Sequence, residues 1–102
     1  MIKINFLETD GRVLKLEARG HADYDCYGKD IVCSAVSAIL VGGCNALENQ
    51  KEYFINIAAG NLVIDTKNKI TPHDEIVMRT VLTQLQTIEE SYKAFIKVSK
   101  KL

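Results

Sequence analysis

The feature that most constrains this chain is a strand hairpin followed by a helix, a pattern that its sequence carries twice. Apolar and polar residues alternate over 2–6 and over 14–18, which is the period of a strand with one buried face. The Asp-Gly pair at 10–11 is typical of a tight turn, because it tolerates positive φ. Alternation returns over 52–58 and 62–66, around a glycine-containing turn. The sequence therefore predicts two hairpins.

Helical periodicity follows each hairpin. The first helix is predicted over 30–49, with Asp30 as the N-cap whose carboxylate accepts first-turn N–H groups. The second helix begins at Thr71, and a short strand over 94–99 follows it. The predicted order is ββαββαβ, an α+β fold whose mainly antiparallel sheet packs with two helices. We expect a single domain over residues 1–102, because this length suits one core.

Charge and hydropathy argue against two classes of partner. The 102 residues contain 13 Lys and Arg against 13 Asp and Glu, so the surplus of positive charge that binds phosphates is missing. No apolar run approaches the ~20 residues that span a bilayer. The first residues alternate like a strand and do not resemble a signal peptide. We therefore expect a cytoplasmic protein that binds neither nucleic acid directly nor a membrane.

The three cysteines each need an explanation, because an odd number in a reducing compartment does not suggest a disulfide framework. Cys33 lies in the first turn of the first helix, where backbone N–H groups and the helix dipole favour the thiolate. A free thiol is only about 3% ionised at pH 7, and lowering its pKa by ~2 units takes about 2.7 kcal/mol. The dipole supplies about 0.3–1 kcal/mol, so a cationic partner is needed.

His21 is the candidate partner for Cys33. It ends the second strand just before the loop at 22–29, and a loop that leaves a sheet and returns to a helix can bring its two ends together. An imidazolium beside a thiolate activates cysteine for acyl transfer, and the histidine then protonates the leaving amine. Cysteine is also one of the most buried residue types, so the residues alone leave a packing role for Cys33 open.

The other two cysteines carry less information. Cys44 lies three turns further along the first helix, far from its N-terminus, and is interpreted as packing. Cys26 lies within the loop, where it could be exposed or form a regulatory disulfide with Cys33, and its role is unassigned. We expect no metal and no cofactor, because His21, Cys26 and Cys33 lack the close cysteine pair of a typical zinc site.

The first helix is apolar on a second side as well. Beside its core stripe, small or apolar residues recur at helical spacing: Ile31, Ala35, Ala38 and Gly42. A helix that is apolar on two sides is buried on both or meets a partner chain.

Two blocks of sequence carry a family resemblance. Residues 20–22 read Gly-His-Ala, and after a short loop ending Gly-x-Asp, residues 31–37 read Ile-Val-Cys-Ser-Ala-Val-Ser. These motifs, with the chain length and the element order, resemble the ribosomal-processing cysteine protease family, Prp, over essentially the whole chain.

The resemblance implies an endopeptidase that removes the short N-terminal extension of large-subunit ribosomal protein twenty-seven in firmicutes and related bacteria, and that forms homodimers. It implies a dyad of Cys33 as nucleophile and His21 as proton donor and general base. Supporting roles fall on Gly20, Asp30 and Ser37, and Asp30 either orients His21 or only caps the helix. Aromatic loop side chains can stack on an aromatic substrate segment, or they can anchor the loop to the body of the domain. The predicted substrate-binding loop residues are Tyr24, Tyr27 and Gly28.

One alternative keeps the fold and the partner but not the chemistry. In a non-catalytic dimeric module for ribosome assembly or binding, Cys33 has a packing role. Replacing Cys33 with serine would then leave function intact, whereas in a protease it would not.

Overall fold

The computed structural model describes residues 1–21 and 30–101. The predicted element order is confirmed, with a 3₁₀ turn at Gln50–Glu52 added before the third strand. No helix in the described ranges is both long and apolar enough to cross a membrane. The elements are β1 Ile2–Thr9, β2 Arg12–Arg19, α1 Ile31–Ala46, β3 Phe54–Ala58, β4 Asn61–Asp65, α2 Pro72–Ser91 and β5 Ile96–Lys100.

Two predicted boundaries are wrong. α1 ends at Ala46 and not at 49, because the backbone N–H groups of Glu48 and Asn49 donate to the carboxylate of Asp74 and do not continue the helix. β3 begins at Phe54 and not at 52, because the preceding residues form the 3₁₀ turn. A distant side chain therefore sets the first limit, and local backbone hydrogen bonds set the second.

The described strands form one sheet in the order β3-β4-β2-β1-β5. The β1–β2, β2–β4 and β3–β4 pairs are antiparallel, while β5 pairs with β1 in parallel. α2 carries the chain from β4 across to the far edge, so β5 arrives in the direction of β1, as a crossover connection requires. The prediction of a mainly antiparallel sheet is confirmed.

The core lies between one face of the sheet and the two helices. The apolar stripe predicted for α1 is buried at Val32, Val36, Leu40, Gly43 and Leu47. α1 and α2 approach closely where Gly43 meets Val81, since a Cβ at position 43 would overlap Val81 Cγ2. The second stripe of α1 is largely uncovered, with Ile31, Ala38 and Gly42 exposed.

Asp74 is a buried carboxylate that joins three parts of the fold. It lies in the first turn of α2 with none of its surface exposed. Its Oδ1 accepts from Glu48 N–H at 2.9 Å, and its Oδ2 accepts from Asn49 N–H at 3.1 Å and from the Tyr53 hydroxyl at 2.7 Å. His73 Nδ1 lies 2.8 Å from Oδ1. One side chain thus connects the start of α2 to the end of α1 and the start of β3.

These contacts change the pKa of each titratable partner. Burial disfavours the charged form of Asp74, but its hydrogen bonds with Glu48, Tyr53, His73 and Asn49 outweigh burial and hold its pKa below the ordinary 3.8. Burial and the hydrogen bond to Asp74 raise the pKa of Tyr53 to about 12. A carboxyl group with a lowered folded-state pKa stabilises the fold above its unfolded pKa. That contribution is lost as the pH falls through the folded value.

We expect Asp74→Asn to lower the free energy of unfolding at pH 7 by about 3 kcal/mol, because buried donors lose a charged acceptor and meet an amide NH₂. The difference from wild type shrinks as the pH falls below 3.8, because protonation then removes the same charge from the wild type. Urea titrations followed by circular dichroism at neutral and acidic pH measure both effects.

Asp65→Asn is the matched control. The Asp65 carboxylate accepts a local bond from Lys67 N–H, at 2.9 Å in an exposed turn, so its replacement should cost less than about 1 kcal/mol. A loss at Asp74 that equals this control, or that does not change with pH, would contradict the assigned role.

Candidate active site

A pocket of about 280 Å³ lies where β2 ends, α1 begins and β3 turns into β4. His21 and Cys33 both line it, as do Gly20 and Ser37. The structure thus brings together four of the residues that the sequence predicts for the site. Asp30, the fifth, caps the helix beside them. Much of the remaining described wall is apolar and includes Ile2, Ala18, Val36, Leu40, Ile57 and Leu62.

His21 is exposed and leaves the sheet through a constrained glycine. Gly20 has φ +93°, in the region that favours glycine, and a Cβ there would lie 2.5 Å from the carbonyl oxygen of Met1. The N–H of Gly20 donates to the carbonyl of Gly60 at 2.9 Å. Position 20 therefore accommodates only glycine, and its backbone is tied to the β3–β4 turn next to the histidine.

Gly60 is a residue of the site that the sequence did not indicate. It lies in the β3–β4 turn with φ +72°, and a Cβ there would lie 3.0 Å from His21 Nε2. From the sequence, this glycine predicts only a turn. The contact was not predictable because nothing local in the sequence tells which distant side chain lies against a turn.

Cys33 occupies the first turn of α1, as predicted, and is half-buried. Asp30 Oδ1 accepts the N–H of Cys33 at 2.9 Å, which confirms Asp30 as the N-cap. The Cys33 amide thus donates to the cap. Because the cap fixes the first turn of α1, it also fixes the position of the Cys33 side chain relative to the helix.

The remaining predicted residues divide into two groups. Cys44 is confirmed as a core residue, since only 4% of it is exposed and burial raises the pKa of its thiol. Tyr24, Tyr27 and Gly28, predicted for the substrate-binding loop, lie outside the described residues, as does Cys26.

Among residues 1–21 and 30–101, side chains of the types that bind metal ions come together at one place. Glu48, His73 and Asp74 present ligand atoms within 4.8 Å of one another. The Asp74 carboxylate there already accepts hydrogen bonds from two backbone N–H groups and from Tyr53. None of the three lines the pocket, so the cluster is explained by the structural role of Asp74.

Comparison with known proteins resolves the family. The model of the cysteine protease Prp family matches residues 1–97. The chain belongs to the Prp family. The ribosomal processing cysteine protease Prp of Staphylococcus aureus is 32% identical, over 99% of this chain and 100% of the relative. The Prp of Mycoplasma genitalium is 36% identical, over 90% of this chain and 88% of the relative.

The Prp fold is shared as well. A crystal structure of an essential ribosomal processing protease Prp from S. aureus, in complex with a covalently linked product peptide, superposes with a TM-score of 0.89. It has 34% sequence identity and covers 99% of this chain and 100% of its own. As a Prp protein the chain is a cysteine-type peptidase, as its sequence predicts, and not a non-catalytic module.

We expect iodoacetamide to modify Cys33 in the folded protein and Cys44 only after unfolding. Cys33 is half-buried and lines the pocket, whereas Cys44 is buried and its pKa is raised by burial. Mass spectrometry of the separate peptides over time measures each rate, and the same reaction in urea is the control. Equal rates for the two thiols in the folded protein would contradict this placement.

Proposed function

We propose that this protein removes the N-terminal extension of the precursor of large-subunit ribosomal protein twenty-seven, with Cys33 as nucleophile and His21 as proton donor and general base. The observation that carries the proposal is that these two residues line one pocket in a chain of the Prp family. The covalently linked product peptide of the S. aureus relative supports a peptide substrate. Because ribosomal precursors are made there, we place the activity in the cytoplasm.

The proposed chemistry is acyl transfer through a thioester. The Cys33 thiolate attacks the carbonyl carbon of the scissile peptide bond, and His21 donates a proton to the departing amine. The mature protein leaves with its new N-terminus, and the extension stays on Cys33 as an acyl group. His21 then takes a proton from water, which attacks the thioester and releases the extension as a carboxylic acid.

The supporting residues have distinct parts in this proposal. Asp30 holds the first turn of α1 by accepting the Cys33 N–H. The positive φ of Gly20 sets the direction of the backbone at His21. Ser37 lies one turn after Cys33 and lines the same pocket, and we expect its hydroxyl to contact substrate there. The predicted aromatic contacts from Tyr24 and Tyr27, and a loop role for Gly28, complete the proposed binding site.

The edge strand β3 is the proposed docking site for the extended peptide. It stands at one end of the strand order, and its C-terminal residues Ile57 and Ala58 line the pocket. Ile57 is 53% exposed, so an apolar side chain of the substrate can contact it. A peptide that pairs with β3 as an added strand runs into the pocket that holds Cys33.

We expect Cys33→Ala and His21→Ala each to lower cleavage of the precursor by at least about 100-fold, because each removes a group that the proposed chemistry requires. The readout is the N-terminal mass of the ribosomal protein after incubation. Circular dichroism checks that each variant is folded.

Cys44→Ala and His73→Gln are the matched controls. Each removes the same residue type away from the pocket, so both variants should cleave at nearly the wild-type rate. A Cys33→Ala variant that still releases the extension would overturn the proposal.

The proposed homodimer uses the groove between the two helices. Ala38, Gly42 and Ala46 of α1 face Ile76 and Thr80 of α2 across an opening of about 510 Å³. Ile76 is 70% exposed in the single chain and lines the same groove as the exposed Ala38 and Gly42, so the exposed apolar surface is contiguous. A second copy that covers this groove would bury the stripe of small residues that the sequence leaves without a partner.

We expect Ile76→Asp to convert the dimer to a monomer, because burying an unpaired carboxylate in an apolar interface costs several kcal/mol. Light scattering after size-exclusion chromatography measures the mass. Gln86→Asp, at an exposed α2 position on the side of the helix away from the groove, is the control and should remain dimeric. An Ile76→Asp variant that keeps the mass of the wild-type dimer would exclude this face.

A further inference from the structure

We propose that Gly60 is a positioning residue for His21, in that the absence of a side chain at position 60 makes room for the imidazole. This inference rests on the proposed role of His21 in catalysis. It adds the β3–β4 turn, which neither the predicted motif nor the dyad includes, to the machinery of the site.

Two separate contacts join Gly60 to the histidine segment. The Gly60 carbonyl accepts the N–H of Gly20 at 2.9 Å, which fixes the backbone just before His21. A Cβ at position 60 would lie 3.0 Å from Nε2 of His21, 3.4 Å from Cε1 and 3.8 Å from Cδ2. The Nε2 side of the ring is therefore directed at the space that a side chain would fill.

The backbone conformation alone does not explain why position 60 is glycine. Its φ of +72° favours glycine, but Asp10, Lys67 and Asn68 adopt φ of 54°, 53° and 57° in the same chain. A polar residue such as asparagine would satisfy the turn at low cost. Any side chain at position 60 would, however, crowd the His21 ring. A contact of 3.0 Å is shorter than nearly all real Cβ contacts, so the ring would have to move by a few tenths of an ångström.

Such a displacement matters because proton transfer depends on position. A misplacement of about 1 Å can cost about 100-fold in rate, so a shift of a few tenths of an ångström should cost about fivefold. Gly11 is the matched comparison, because it lies in the β1–β2 turn with φ +77° and nothing within 4 Å of an added Cβ. Gly60→Ala and Gly11→Ala should therefore cause a similar loss of stability through backbone strain. Only the Cβ added at position 60 would contact a histidine.

The experiment compares the pH dependence of Cys33 alkylation in wild type, Gly60→Ala and Gly11→Ala. This reaction reports on the ionisation of the Cys33 thiol without involving the peptide substrate. We expect Gly60→Ala to react about fivefold more slowly below neutral pH, with its profile displaced to higher pH and cleavage reduced to a similar extent. Gly11→Ala should keep the wild-type profile while losing a similar increment of thermal stability.

Gly60→Asn distinguishes the effect of backbone strain at position 60 from the effect of a Cβ that contacts the His21 ring. Asparagine tolerates positive φ, so this variant should be more stable than Gly60→Ala, yet its Cβ still meets the ring and the alkylation profile should remain displaced. A wild-type profile in Gly60→Asn would overturn the positioning role even if Gly60→Ala fails to fold.

His21→Ala distinguishes the two proposals. If it abolishes cleavage while the Gly60 variants behave as wild type, only the inference about Gly60 fails. If it leaves cleavage intact, the dyad fails and the inference with it.

Discussion

The buried carboxylate of Asp74 is the interaction on which the arrangement of the helices depends. It accepts hydrogen bonds from the segment that follows α1 and from Tyr53, which precedes β3, while it belongs to α2 itself. Because these donors are satisfied by a side chain from another element, α1 stops where it does and the chain turns into the second hairpin. The C-terminal end of α1 is thereby fixed, and the close contact of Gly43 with Val81 fixes its middle.

The two proposed catalytic residues receive very different support from this framework. Cys33 lies on a helix that is capped by Asp30 at one end, packed along its length and anchored at the other end. His21 is exposed among the described residues and follows the end of a strand. Its position depends on backbone geometry, through Gly20 beneath the Met1 carbonyl and Gly60 beside the ring. The proposed nucleophile is thus held by a capped and packed helix, whereas the backbone at the proposed proton donor is set by glycines.

The sequence predicts features that depend on neighbouring residues, but it does not predict contacts between residues that are distant in the chain. Hairpins, helices and the Asp30 cap follow from periodicity and from side chains that bond to their own neighbours, and all are present. The position of His21 and Cys33 at one pocket also follows, because the two residues are close in sequence and flank the end of one element and the start of the next. Asp74 looks in sequence like an ordinary acidic residue of a first helical turn, and its burial depends on donors more than twenty residues away. Gly60 likewise looks in the sequence like an ordinary turn glycine, because its neighbour His21 is distant in sequence.

The parallel pairing of β1 with β5 has a consequence for how the protein is made. The hairpin of β1 with β2 can form early during synthesis, because the two strands are adjacent in sequence. Among the described strands, the other edge of β1 pairs with Ile96–Lys100, which is made much later. Until β5 has emerged from the ribosome, β1 therefore presents unpaired N–H and C=O groups along that side, as an edge strand does. The described sheet is complete only when β5 has been added, so the two hairpins alone cannot finish the fold.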